Sequence, residues 1–125
     1  MIRIGYFIVG AIALLHFYIA WFEIFAWETR GPAVFGSMPK DLFSQTTVLA
    51  ANQGIYNAFL ACGLAWSLFV SDPLWKRRIA TCFLLFVAVA GVFGAATASP
   101  RILYVQTVPA LVALAFLYLS RPKTS

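Results

Sequence analysis

Four apolar runs, residues 4–22, 48–70, 79–98 and 102–119, decide most of what this chain can fold into. They are 19, 23, 20 and 18 residues long and take up 80 of the 125 residues, which leaves no room for a separate soluble domain. A helix that crosses the hydrocarbon core of a bilayer needs about 20 residues, with a range of about 17–25, so each run is long enough. Membrane β-strands alternate over about 10 residues, and these runs do not. Charged residues make up only 10% of the chain, against about 25% in an ordinary soluble domain, and the mean hydropathy is +0.87. The prediction is an all-α integral membrane four-helix bundle, one domain over residues 1–125, with spans at about 4–27, 48–70, 79–98 and 102–119. The first run exceeds a signal-peptide core of about 7–15 residues and precedes no small-residue cleavage pattern, so it reads as a retained helix.

The net charge of +5 points to the membrane surface and not to nucleic acid, because Lys and Arg sit at the ends of the runs. Arg3, Lys76, Arg77, Arg78, Arg121 and Lys123 share one side, while Arg30, Lys40 and Arg101 share the other. The positive-inside rule then puts both termini in the cytoplasm of a multi-pass protein of the bacterial inner membrane. Cys62 and Cys82 belong to no close-spaced metal or redox pair and read as small buried hydrophobes. One His, one intramembrane carboxylate and no thiolate pair argue against a metal site, and no cofactor is expected.

The second run departs from apolar composition. It carries Asn52, Gln53, Tyr56 and Asn57 within six residues, at a depth where hydrocarbon supplies no hydrogen-bond partner. On a helical wheel Leu49, Asn52, Gln53, Tyr56, Asn57 and Leu60 fill one arc of roughly 140°. Ala51, Gly54, Ala58, Ala61 and Ala65 form a second face that admits close helix approach, and Ile55, Phe59 and Trp66 are left for lipid. In the first run His16 and Glu23 share a stripe that extends to Trp27, but about 10.5 Å of rise separates their Cα atoms. A direct His–Glu dyad is therefore not expected. Arg30-Gly31-Pro32 should break the first helix, and Ser37 ahead of Pro39 should start a short interfacial helix over residues 39–45. The third run presents Gly91, Gly94, Ala95 and Ala96 for close packing, which also offers a route to a homo-oligomer. Pro109 should kink the fourth run and free the Val105 carbonyl.

The order of the spans fixes depth. Glu23, Trp27, Asn52, Gln53, Tyr56, Thr97 and Gln106 fall in the outer half of the bundle, and His16 and Asn57 lie nearer the midplane, while the inner half is almost wholly apolar. These nine residues are the candidate ligand-binding set, lining a pocket open to the outside. Taken singly, interhelical amides also serve as packing glue worth about 0.6–2 kcal/mol. Glu23 stands apart, since intramembrane ionisable residues are rare and usually functional.

Five stretches carry a resemblance: Glu23-Ile-Phe-Ala-Trp27, Phe35-Gly36, Leu49-Ala-Ala-Asn52-Gln-Gly-Ile-Tyr-Asn57-Ala-Phe-Leu60, Ala90-Gly-Val-Phe-Gly94-Ala-Ala-Thr97 and Gln106-Thr-Val-Pro109-Ala110. They resemble the small bacterial membrane proteins of the domain-of-unknown-function family numbered 1304, over nearly the whole chain. Ala58 stands where that family is expected to have Gly, and Phe93 where it is expected to have Tyr. The resemblance implies the fold and the membrane location and no mechanism.

The leading functional expectation is binding or transport of a small molecule or ion through the outward-facing pocket, without catalysis. A membrane enzyme acting on a lipid-like substrate, with Glu23 and His16 as acid and base, is a second reading, and a structural or accessory membrane subunit a third. The topology is directly testable. Green fluorescent protein fused after residue 125 should fluoresce and alkaline phosphatase there should be inactive, with the reverse for insertions in the loop between the first two runs.

Overall fold

Backbone amides that water cannot reach must pair within their own segment, and a chain this apolar meets that demand by turning helical. In the computed structural model, which describes residues 1–119, every regular element among the described residues is a helix. The expected positive residues Arg121 and Lys123 lie outside the described residues. Helix α1 spans Ile2–Phe25, α2 Trp27–Val34, α3 Lys40–Gln45, α4 Thr47–Phe69 and α5 Pro73–Thr97. A π-helical turn, Leu103–Thr107, leads into α6, Val108–Leu119.

Three of these helices, α1, α4 and α5, are long and apolar enough to cross a membrane, with 24, 23 and 25 residues. The fourth run is helical but shorter than the others over Leu103–Leu119, and its first turn is wound as π rather than α. The cause is Pro109, which has no N–H to give a carbonyl four residues back. In place of a simple kink the preceding turn widens, and the Val108 N–H reaches the Leu103 carbonyl.

The junction between α1 and α3 also differs from expectation. The chain leaves helical geometry at Ala26 (φ −127°, ψ 19°), and Arg30-Gly31-Pro32 lies inside α2 instead of breaking the first helix. Pro32 is the sixth of eight residues, so it deprives only the Glu28 carbonyl, at the exposed start of the helix, of an intrahelical partner. Helix α3 is capped by Pro39, not Ser37, and begins at Lys40. Its Phe43 is 1% exposed and lies directly over Gly31, where any Cβ would overlap the ring.

Glycines set how closely the long helices approach. A Cβ at Gly54 would come within 2.7 Å of Ile24 Cγ1 and 3.0 Å of the Ala20 carbonyl, so α4 rests directly on the last turns of α1. Gly63 receives the ring of Phe83 from α5, and Gly91 receives Thr107 from the π turn. The Thr107 hydroxyl donates to the Ala88 carbonyl at 2.8 Å, a buried bond between the two elements. Of the small-residue faces expected to mediate contacts, these glycines are therefore engaged within the protomer. Val9, Leu64, Ala80, Leu84, Val87, Ala110, Ala113 and Leu117 close the rest of the interior with no exposed surface.

The exterior is apolar. Phe7 is 79% exposed and Phe69 85%, and Ile55, Phe59 and Trp66 face outward as the wheel predicts. Cys62 and Cys82 are also exposed, which corrects their expected burial. The hydrophobicity that suggested an interior position suits them equally to an apolar outer surface.

Close packing at Gly91 gives a test of this arrangement. Gly91→Val forces a side chain into Thr107 and should destabilise the fold by about 1–3 kcal/mol. Gly10→Ala meets only Leu68 Cδ1 at 3.5 Å and should be neutral or stabilising, by up to about 1 kcal/mol from helix propensity. Thermal unfolding in detergent separates the two, and equal losses would contradict the packing described.

Candidate functional site

The close approach of α4 to α1 at Gly54 sets up the polar contact. One turn further along α4, the Asn57 amide nitrogen donates to Glu23 Oε1 at 3.1 Å and to the Gln53 carbonyl at 3.3 Å. Both acceptors are oxygens, so the amide is oriented with its NH2 toward them. The second carboxyl oxygen, Glu23 Oε2, is shut off from solvent and has no hydrogen-bond partner. An unpaired carboxyl oxygen in such a place is costly unless something compensates it.

Glu23 stands in the wall between two cavities. The larger, about 600 Å³, lies between α1, α4, α5 and the chain entering the π turn. The smaller, about 250 Å³, is lined by Tyr18, Phe22 and Arg101 among others, and shares Glu23, Phe35, Ile102 and Gln106 with the first. Glu23, Trp27, Gln53, Tyr56, Asn57, Thr97 and Gln106 all line the larger cavity, so seven of the nine sequence candidates come together. The Thr97 hydroxyl is already committed to the Phe93 carbonyl at 2.8 Å.

Two candidates fall outside. Asn52 is exposed and lines neither cavity. It sits at the edge of the predicted 140° arc, and the helix is rotated so that the other edge, at Asn57, faces α1. His16 is fully buried and also lines neither cavity. Two helical turns below Glu23 it lies beneath the cavity. Its Nδ1 is 2.9 Å from the Ile12 carbonyl, which can only accept, so Nδ1 carries the hydrogen. Nε2 has no partner. The cavity does not reach His16, expected in its lining, and no acid–base pair with Glu23 is assembled within the ~3 Å that proton transfer needs. Among the described residues no three His, Cys, Asp or Glu side chains stand together as metal ligands would.

One end of the larger cavity is walled by aromatic packing from α2 and α3. Trp27 lies against Phe22, Phe35 and Phe43, with ring centroids 5.7, 5.7 and 5.2 Å away. Its Nε1 donates to Thr46 Oγ1 at 2.9 Å, and that hydroxyl donates to the Leu42 carbonyl at 2.7 Å. Thr46 is a site residue that sequence reasoning missed. Its signal was weak, one of three hydroxyls (Ser44, Thr46 and Thr47) at the junction of two helices, and only the fold brings it under Trp27. Arg30, nearby in sequence, is tied to the Tyr18 hydroxyl at 2.5 Å and stacks on Tyr18 and Trp21.

Comparison with known proteins agrees with the resemblance seen in the motifs. The model of the family described as "Protein of unknown function (DUF1304)" matches residues 10–118. A Lactococcus lactis subsp. lactis (strain IL1403) protein described as "Uncharacterized protein YpaA" is 30% identical over 105 residues, covering 82% of this chain and 87% of the relative. No solved structure matches the chain. With the Glu23, Asn52–Asn57, Gly91–Thr97 and Gln106–Pro109 segments all inside the matched region, the chain belongs to the DUF1304 family of proteins of unknown function.

Proposed function

We propose that this is an integral membrane protein of four spans that binds a small molecule in the Glu23 cavity at the end opposite its cytoplasmic termini. The observation that carries this reading is the Glu23 carboxyl, held by Asn57 through one oxygen and unpartnered at the other, between two adjoining cavities. A volume of about 600 Å³ falls within the ~300–1,000 Å³ typical of small-molecule sites. Three membrane-length helices and a large exposed apolar surface favour a lipid-embedded position. Lys76, Arg77 and Arg78 follow the turn between α4 and α5, and Lys76 lies over the Tyr6 ring with its nitrogen 4.8 Å from the centroid, which suits a cytoplasmic headgroup anchor.

Binding is favoured over catalysis, because His16 is separated from the cavity. It is favoured over passage through a single protomer as well, because Val9, Leu64, Leu84 and Val87 pack the opposite half without exposed surface. In a screen of small molecules by thermal shift on the detergent-purified chain, a ligand at a hundred times its Kd should add about 2.7 kcal/mol of stability. Glu23→Gln and Asn57→Ala should each abolish that shift while His16→Ala leaves it in place. Ligand-induced stabilisation indifferent to both Glu23 and Asn57 would remove the cavity from consideration.

A further inference from the structure

The lining of the larger cavity says more about its occupant. Among the described residues it holds one carboxylic acid, Glu23, and no Lys, Arg or His. Four aromatic side chains, Trp27, Phe35, Tyr56 and Phe93, line the same space. Resting on the binding reading above, we infer that the occupant is an organic ammonium ion, with its charge beside the Glu23 carboxyl group and its alkyl groups against the aromatic rings.

Each alternative class fits the lining less well. An anion would meet a carboxyl group with no compensating cation in the wall. A small inorganic cation asks for a shell of oxygen ligands, whereas most of this lining is ring and aliphatic carbon. A neutral ligand would use the aromatic and aliphatic wall but would gain nothing from the charge of the carboxylate. An alkylammonium balances the charge of the Glu23 carboxylate and buries methyl or methylene groups on aromatic faces, which attract cations through their quadrupoles. The protein's own cations are placed elsewhere. Arg30 is held by the Tyr18 hydroxyl between the Tyr18 and Trp21 rings, and Arg101 lines the smaller cavity on the other side of Glu23. The Trp27 ring is fixed through Thr46 and its three aromatic neighbours, so the cavity presents a preorganised surface.

The test uses choline and its uncharged isostere 3,3-dimethylbutan-1-ol, titrated by calorimetry into the full chain purified in a maltoside detergent, which has no choline headgroup. Choline should bind saturably and about ten-fold or more tightly than the alcohol. Glu23→Gln should erase that preference, Tyr56→Leu on the exposed rim should weaken choline more than the alcohol, and Arg101→Gln should preserve or improve choline binding. Tyr56→Leu alters no hydrogen bond described above and keeps the inference testable if Glu23→Gln fails to fold. Equal binding of the two compounds, insensitive to Glu23→Gln, would overturn the inference while leaving a neutral-ligand cavity in place. Absence of saturable binding by either would overturn it too, and the Glu23 dependence of the broader thermal-shift screen then decides separately whether the cavity binds anything.

Discussion

The missing side chain at Gly54 is the constraint on which the polar end of the molecule depends. With no Cβ there, α4 settles against the Ala20 carbonyl and the Cβ of Glu23, close enough for Asn57 to reach the carboxyl group. Any larger residue would push the helices apart just where the amide and the acid must meet. The interaction is short-range, and its geometry is fixed by backbone contact, which is stiffer than side-chain packing. Two walls of the larger cavity follow from this one approach, since α1 contributes Glu23 and α4 contributes Gln53, Tyr56 and Asn57.

The other end of the molecule is built on a different principle. There, aliphatic side chains from α1, α4, α5 and α6 interlock without exposed surface, and some polar groups are satisfied locally. Ser67, for instance, donates to the Leu64 carbonyl three residues back at 2.6 Å. Such bonds ask nothing of a neighbouring helix. The two cavities that share Glu23 open at the end where Asn57 and Trp27 reach partners on other elements, and the packed aliphatic interior lies toward the other end.

Much of this was legible in the residues. Hydropathy located the four helical runs, because a long apolar segment satisfies its backbone amides most simply as a helix. Depth counting brought Glu23, Gln53, Asn57, Thr97 and Gln106 to one end, because helical rise is uniform and successive long helices run in alternating directions. Rotation about each helix axis was less legible. Asn52 and Asn57 bound the same arc, and only the seat of Gly54 on α1 determines which of them turns inward. His16 shares the Glu23 stripe, yet a shared stripe does not specify where a cavity ends. The break at Ala26 in preference to Arg30-Gly31-Pro32 was hidden for a related reason. A proline near the end of a short exposed helix loses little, and the packing of Trp27 and Phe43 rewards a second helix there.

The π turn before Pro109 has a consequence for how the fourth element can vary. A π turn holds more residues than an α turn, so the angular register on either side of Leu103–Thr107 is not continuous. Gln106 and Thr107 are sequence neighbours, yet one lines the cavity and the other bonds α5. The bulge acts as a swivel between two surfaces with separate requirements. Ile102 and Gln106 answer to whatever fills the cavity, while the residues after the turn answer to the aliphatic interior.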